Sequence, residues 1–263
     1  MRLNKDTGDR HYRVTSNSEV VVPVKGHDYR VDDVRVNIIQ SRLGFASTMR
    51  GKYYHPLDTP DDPIKALHLN GFSTPSEATE ANAAEMARLG IATGVYDVRK
   101  LVNVADVRFP LDSAIKGGRH MLNAMEDITG EEEYETAVIG HSTGGLTAAH
   151  IALADGRVDY YLGKSIAGIQ HHNMTANYIR RGSKVIRGVV IPLIKNLAQR
   201  KDRMRVGYEY AMRSAYNPTL LARQAIMLCN GPHVTPHIAA LESIGVPCAV
   251  FQYMHDEFMI QKH

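Results

Sequence analysis

Apolar residues in this chain come in short runs set between polar, glycine-punctuated breaks, and the runs switch between strand-like and helix-like spacing. Residues 11–50 read as short antiparallel strands, for instance 19–24 and 34–39, and residues 54–63 as a proline- and aspartate-rich loop. An apolar run over 64–69 ends at Asn70-Gly71, and a helix over 76–89 is opened by Ser76 and closed by Gly90. The pattern then predicts a strand over 91–96 ended by Asp97, a helix over 111–128, a strand over 134–139, a helix from 146 to 154 stopped by Asp155-Gly156, and a strand over 160–169. Between Asn173 and Cys229 it predicts helices without strands, one of them starting at Asn217-Pro218 with an N-cap followed by proline. Thr235-Pro236 opens a further helix, Gly245 closes it, and a strand over 246–253 resumes the sheet.

This βαβα alternation predicts an α/β fold: a mostly parallel central sheet flanked by helices. The chain reads as a single domain over 1–263, with a helical lid inserted at about 172–229. An insertion there would cover the C-terminal edge of the sheet, where open α/β folds bind ligands.

Composition changes this picture little. Hydrophobic residues make up 44% and charged residues 22% of the 263, which is ordinary for a soluble domain. A formal charge of +3 does not argue for nucleic acid. The 2 cysteines, Cys229 and Cys248, make neither a disulfide framework nor a metal motif, and they read as small buried apolar groups in a reducing compartment. The first residues lack the apolar segment of a secretory signal, and no run has the roughly 18 apolar residues a membrane span needs. The expectation is a soluble, cytoplasmic protein without a cofactor or resident metal.

Candidate chemistry centres on Gly140-His141-Ser142-Thr143-Gly144-Gly145. An apolar β-run precedes this G-x-S-x-G and a helical run follows it, which is the context of a nucleophile elbow: a strained turn that lifts one serine hydroxyl above a sheet. A Cβ at Gly140 or Gly144 would crowd such a crossing. The plainer alternative is a strand-to-helix turn whose serine caps the helix.

From residue 64 to 258 the order of elements resembles the α/β-hydrolase superfamily, specifically serine esterases and lipases of the monoglyceride-lipase and serine-aminopeptidase type. The resemblance rests on Leu69-Asn70-Gly71-Phe72, Val95-Tyr96-Asp97-Val98-Arg99, the elbow, and the stretch from Ile244-Gly245-Val246-Pro247 to His255-Asp256-Glu257-Phe258. It implies Ser142 as nucleophile, Asp256 as the acid that orients the base, and an oxyanion hole made by the backbone N–H groups of Phe72 and Thr143. It also implies a small ester or acyl substrate. Asparagine at position 70 departs from the family's usual histidine there, though the backbone donor of the loop is retained. Asp97 and Arg99 read as structural partners.

The base is left open. The resemblance places it after one further strand beyond the acid, and three sources compete: a histidine absent from this chain, His263, or His255. His263 is the only histidine beyond Asp256, and the intervening residues span at most about 25 Å when extended. His141 and His150 flank the elbow and read as packing residues. His233 and His237 stand at i, i+4, a spacing that suits a metal pair, but no third ligand is near in sequence and a structural role is the simpler reading.

One charge cluster stands out. Arg180, Arg181, Lys184, Arg187, Lys195, Arg200, Lys201, Arg203 and Arg205 oppose the single acid Asp202, and an apolar run over 189–194 lies among them. This suits either a lid that meets anionic lipid or a solvated helix face. Without interleaved aromatics it does not suit nucleic acid.

Overall fold

The computed structural model describes residues 12–14, 19–21, 28–40, 45–58, 63–71, 77–96, 110–130, 134–166 and 234–251. Its strands are β1 (Tyr12–Val14), β2 (Glu19–Val21), β3 (Tyr29–Gln40), β4 (Phe45–Pro56), β5 (Ile64–Leu69), β6 (Ile91–Tyr96), β7 (Glu135–His141), β8 (Tyr160–Lys164) and β9 (Cys248–Phe251). Its helices are α1 (Glu77–Arg88), α2 (Pro110–Thr129), α3 (Thr143–Ala154) and α4 (Thr235–Ser243).

All nine strands join one sheet in the order β1-β3-β4-β6-β5-β7-β8-β9, with β2 also on β3. The expectation of a mostly parallel sheet becomes a mixed one. Strands β6, β5, β7, β8 and β9 are parallel, whereas β1, β2, β3 and β4 pair antiparallel, and β4 joins the parallel half antiparallel through Gly51↔Tyr96 to Tyr54↔Thr93. Tyr54, read from the pattern as the start of a loop, belongs with Tyr53 to β4, and both are buried there. Their burial pairs a long hairpin to the sheet and outweighs the turn-forming residues that follow.

The parallel strands explain their composition by position. Leu67 and Leu69 of β5, Ala92 and Tyr96 of β6, Val138 of β7 and Tyr161 of β8 share a core with Met121, Leu122 and Met125 of α2 and Leu146, Ala149 and Ile151 of α3. On the opposite face Val95 packs with Ala83 and Ala87 of α1 and with Tyr29 and Tyr54 of the hairpin. Helices therefore cover both faces, as the alternating burial requires. β8 ends at Lys164, short of the predicted 169, because Ser165 turns out of the strand at φ 46.

A polar clasp ties the lower end together. Arg157, just after α3, donates to Asp155 (Nε–Oδ1 2.8 Å, Nη2–Oδ2 2.6 Å), to Asn123 at 2.7 Å and to Glu126 at 2.9 Å, both on α2. Glu126 also accepts from the buried Lys65 of β5 at 3.3 Å.

The predicted lid at 172–229, its basic stretch, the helix start at Asn217-Pro218, and Cys229 lie outside the described residues. Cys248 is half-buried on β9.

Candidate active site

Ser142 holds the turn between β7 and α3 at φ 54 and ψ −120, one of two non-glycine residues with positive φ among those described. An L-residue held there stores roughly 1–3 kcal/mol of strain, which persists only where neighbours over-determine it. They do so here. The Ser142 N–H donates to the Lys164 carbonyl of the adjoining strand at 3.0 Å, and its own carbonyl accepts from Gly145 N–H at 3.0 Å.

Side-chain volume is excluded around the crossing. A Cβ on Gly140 would lie 2.4 Å from the Gly144 oxygen, and one on Gly144 would lie 2.5 Å from the carbonyl oxygens of both Leu69 and Asn70. The first turn of α3 thus rests directly on the end of β5, with no room for any other residue. Although Ser142 occupies the N-cap position, its side chain makes no capping hydrogen bond. The capping alternative is therefore removed, and the half-buried hydroxyl is not used to hold the helix.

Two further pieces gather at this point. Thr143 is the first residue of α3, where helical geometry leaves the backbone N–H without an intrahelical acceptor and the dipole is positive. Its side chain is buried, and its carbonyl accepts from Thr147 Oγ1 at 3.3 Å. The loop after β5 comes close as well: a Cβ on Gly71 would lie 3.0 Å from both Ser142 Cβ and His141 Nδ1. An anion forming beside Ser142 would meet a helix N-terminus on one side and loop backbone on the other.

The described residues end before the rest of the predicted machinery. Phe72, Asp97, Arg99, His255, Asp256 and His263 all lie outside them. What is placed is the strand that leads to Asp256: β9 runs parallel to β8 with Phe251 opposite Lys164, while Lys164 is opposite His141. The C-terminal ends of β7, β8 and β9 therefore reach the same edge of the sheet.

Three buried polar groups stand near this edge, and sequence pattern gave notice only of the first. Asn70 is buried with its side-chain Oδ1 unbonded, and Ser165 is buried with its hydroxyl unbonded while its N–H donates to Phe251 O at 2.7 Å. His68 of β5 keeps a buried, unbonded Nδ1, and burial, reinforced by the positive charges of His141 and Lys164, pushes its pKa down to about 4. The Asn70-Gly71 break was the one available signal for the first of these; strained backbone at Ser165 has no local signature.

His233 lies outside the described residues, and His237 lies in α4, which begins at Thr235 with Val234 as its N-cap. Among the described residues no three histidine, cysteine or acidic side chains converge on one point. No helix among them is long and apolar enough to cross a membrane.

Neither a family model nor a curated protein matches the chain. Similar solved structures include a highly thermostable carboxyl esterase from Bacillus coagulans, 12% identical, covering 84% of this chain and 90% of that one at a TM-score of 0.48. A hyperthermophilic esterase from the archaeon Pyrobaculum calidifontis is 19% identical over 57% of this chain and 49% of its own, with a TM-score of 0.42. A soluble variant of monoglyceride lipase from Saccharomyces cerevisiae is 12% identical over 58% of this chain and 53% of its own, with a TM-score of 0.40. The chain thus spans nine tenths of the first and about half of the other two.

Proposed function

We propose that this chain is a serine hydrolase of the α/β-hydrolase type that cleaves carboxylic esters through an acyl-enzyme on Ser142. The observation that carries this reading is the backbone of Ser142: φ 54 between a parallel strand and a helix, with a hydroxyl that caps nothing. A protein with no use for that oxygen would relax the strain by placing glycine there.

In this mechanism the Ser142 hydroxyl attacks the ester carbonyl carbon while an imidazole takes its proton. The oxyanion is held by the N–H groups of Thr143 and Phe72, each worth about 3 kcal/mol to the transition state. Collapse breaks the bond to the alcohol, which leaves with the proton, and water then releases the acid from the serine ester. Asp256 is the orienting acid and His263 the base. Asp256 follows Phe251 closely enough to return to the edge of the sheet that Phe251 already shares with Lys164. The substrate has an acyl or other apolar group covered by the helical insertion at 172–229, all within one domain.

A fluorophosphonate probe tests the reading directly, since it labels only an activated serine. The full chain labels at Ser142, and p-nitrophenyl butyrate gives a burst of product that is absent in Ser142→Ala. An unlabelled but folded chain would instead make this a ligand-binding relative without turnover.

A further inference from the structure

The first turn of α3 is seated on β8 as well as on the end of β5, and the seat is made by a residue outside the catalytic set. Ser165 turns the chain out of β8 at φ 46, and the residue that follows it, Ile166, is fully buried in the core. Ile166 fills a notch between two glycines. A Cβ on Gly145, the third residue of α3, would lie 2.7 Å from Ile166 Cγ2, and one on Gly163 of β8 would overlap Ile166 Cδ1. Beside it the Tyr161 hydroxyl donates to the Gly145 carbonyl at 3.1 Å. The Gly145 N–H in turn donates to the Ser142 carbonyl at 3.0 Å.

We propose that Ile166 is a positioning residue, a wedge that sets the height of the first turn of α3 and thereby places Ser142 and the Thr143 N–H. The inference rests on the reading of Ser142 as the nucleophile. On the helix side the wedge bears on glycine, so it presses on backbone that is hydrogen-bonded directly to the serine. Close-packed interiors transmit such a displacement instead of absorbing it. A misplacement of about 1 Å at a reacting group can cost roughly a hundredfold in rate. The left-handed turn at Ser165 acquires a use as well, because extended backbone there would carry residue 166 onward along the strand and away from the helix.

The test is steady-state hydrolysis of p-nitrophenyl butyrate by the full chain and its variants, each assayed well below its Tm. Ile166→Ala should lower kcat about tenfold with KM within about twofold of the parent value, and fluorophosphonate labelling should slow in step. Leu241→Ala empties an equally buried site on α4; it should lower the Tm but keep kcat within about twofold. Gly163→Ala should displace the wedge and slow the reaction by itself. Added to Ile166→Ala it should cost nothing more, because its two closest clashes, with Ile166 Cδ1 and Cγ1, are then gone. An unchanged kcat in Ile166→Ala, a loss carried by KM, an equal loss in Leu241→Ala, or losses that multiply in the double variant each overturn the proposal. Should Ile166→Ala fail to fold, Ile166→Val, which removes only Cδ1, takes its place: kcat should fall about threefold, and an unchanged value overturns the wedge. A parent chain that neither labels nor hydrolyses the ester removes the nucleophile, and this inference with it; a parent that labels while the variants keep its kcat removes the wedge alone.

Discussion

The N–H of Ser142 donates to the carbonyl of Lys164 across the β7–β8 boundary at 3.0 Å. That bond fixes the orientation of the peptide entering the turn, while Gly140 and Gly144 allow the peptide leaving it to double back. The serine is held from both sides by backbone, and backbone contacts have no rotamers with which to relax.

Replacing the strained residue separates stability from activity. Ser142→Gly should stabilise the fold by about 1 kcal/mol, because relief of roughly 1–3 kcal/mol of strain exceeds the roughly 0.5–1 kcal/mol entropic cost of glycine. The same change should lower kcat/KM by roughly a thousandfold or more. Urea midpoints and esterase assays on one preparation measure both, and a destabilised glycine variant would contradict the strain.

Gly144→Ala should do the reverse and damage the fold itself. The new methyl would meet two carbonyl oxygens at 2.5 Å, and neither belongs to a flexible side chain. A loss of at least about 2 kcal/mol is expected, together with loss of fluorophosphonate labelling. A variant as stable as the parent chain would show that the crossing is looser than described.

Arg157→Met tests the polar clasp. It removes the principal partner of Asp155 and one partner of Glu126, leaving Arg119 at 3.4 Å from Asp155 and Lys65 at 3.3 Å from Glu126. A cost of roughly 2–4 kcal/mol follows from stranding these carboxylates. The pH dependence has a definite sign. Burial alone would raise the Asp155 pKa, but the hydrogen bonds and charge of Arg157 outweigh it and hold the carboxyl below its ordinary value. Its stabilisation is therefore present above the unfolded pKa of about 3.9 and is lost as pH falls through the lower folded value. In melts the parent chain should lose this component below pH 4, whereas the variant, which lacks the Arg157 contribution at every pH, should show a smaller loss there.

His68 sets a second acid-side effect with a different window. Its folded pKa of about 4 lies below the ordinary histidine value, so between about 6.5 and 4 the unfolded chain binds a proton that the folded chain does not. Stability falls as pH drops through that interval, by at most about 1.4 kcal/mol per pH unit from this residue, and the effect saturates below it. His68→Leu should flatten the slope between pH 6 and 4.5; an unchanged slope would assign it to other groups.

What could be read from the sequence was local. The run over 64–69 and the strand over 91–96 match β5 and β6, and the two helices before the elbow start and stop within one residue of prediction, because glycine, proline and capping signals sit beside them. The elbow was legible for the same reason: strand, turn and helix are contiguous. The β4–β6 pairing was not, since it joins Gly51 to Tyr96 and no adjacent residue announces it. The early end of β8 was missed because 160–169 keeps its apolar character past Ser165, where the backbone leaves the sheet. The contact of His150 with His237 depends on how α4 packs on α3, which neither helix encodes alone.

The tight seating of α3 on the end of β5 gives the serine a particular vulnerability. Its strained geometry exists only while the first helical turn stays docked against Leu69 and Asn70. Fraying of that single turn would let position 142 fall back into an ordinary conformation while the hairpin and the rest of the sheet stay intact. Under gentle heating or mild denaturant the turn at Ser142 should therefore slacken first and the molecule melt later.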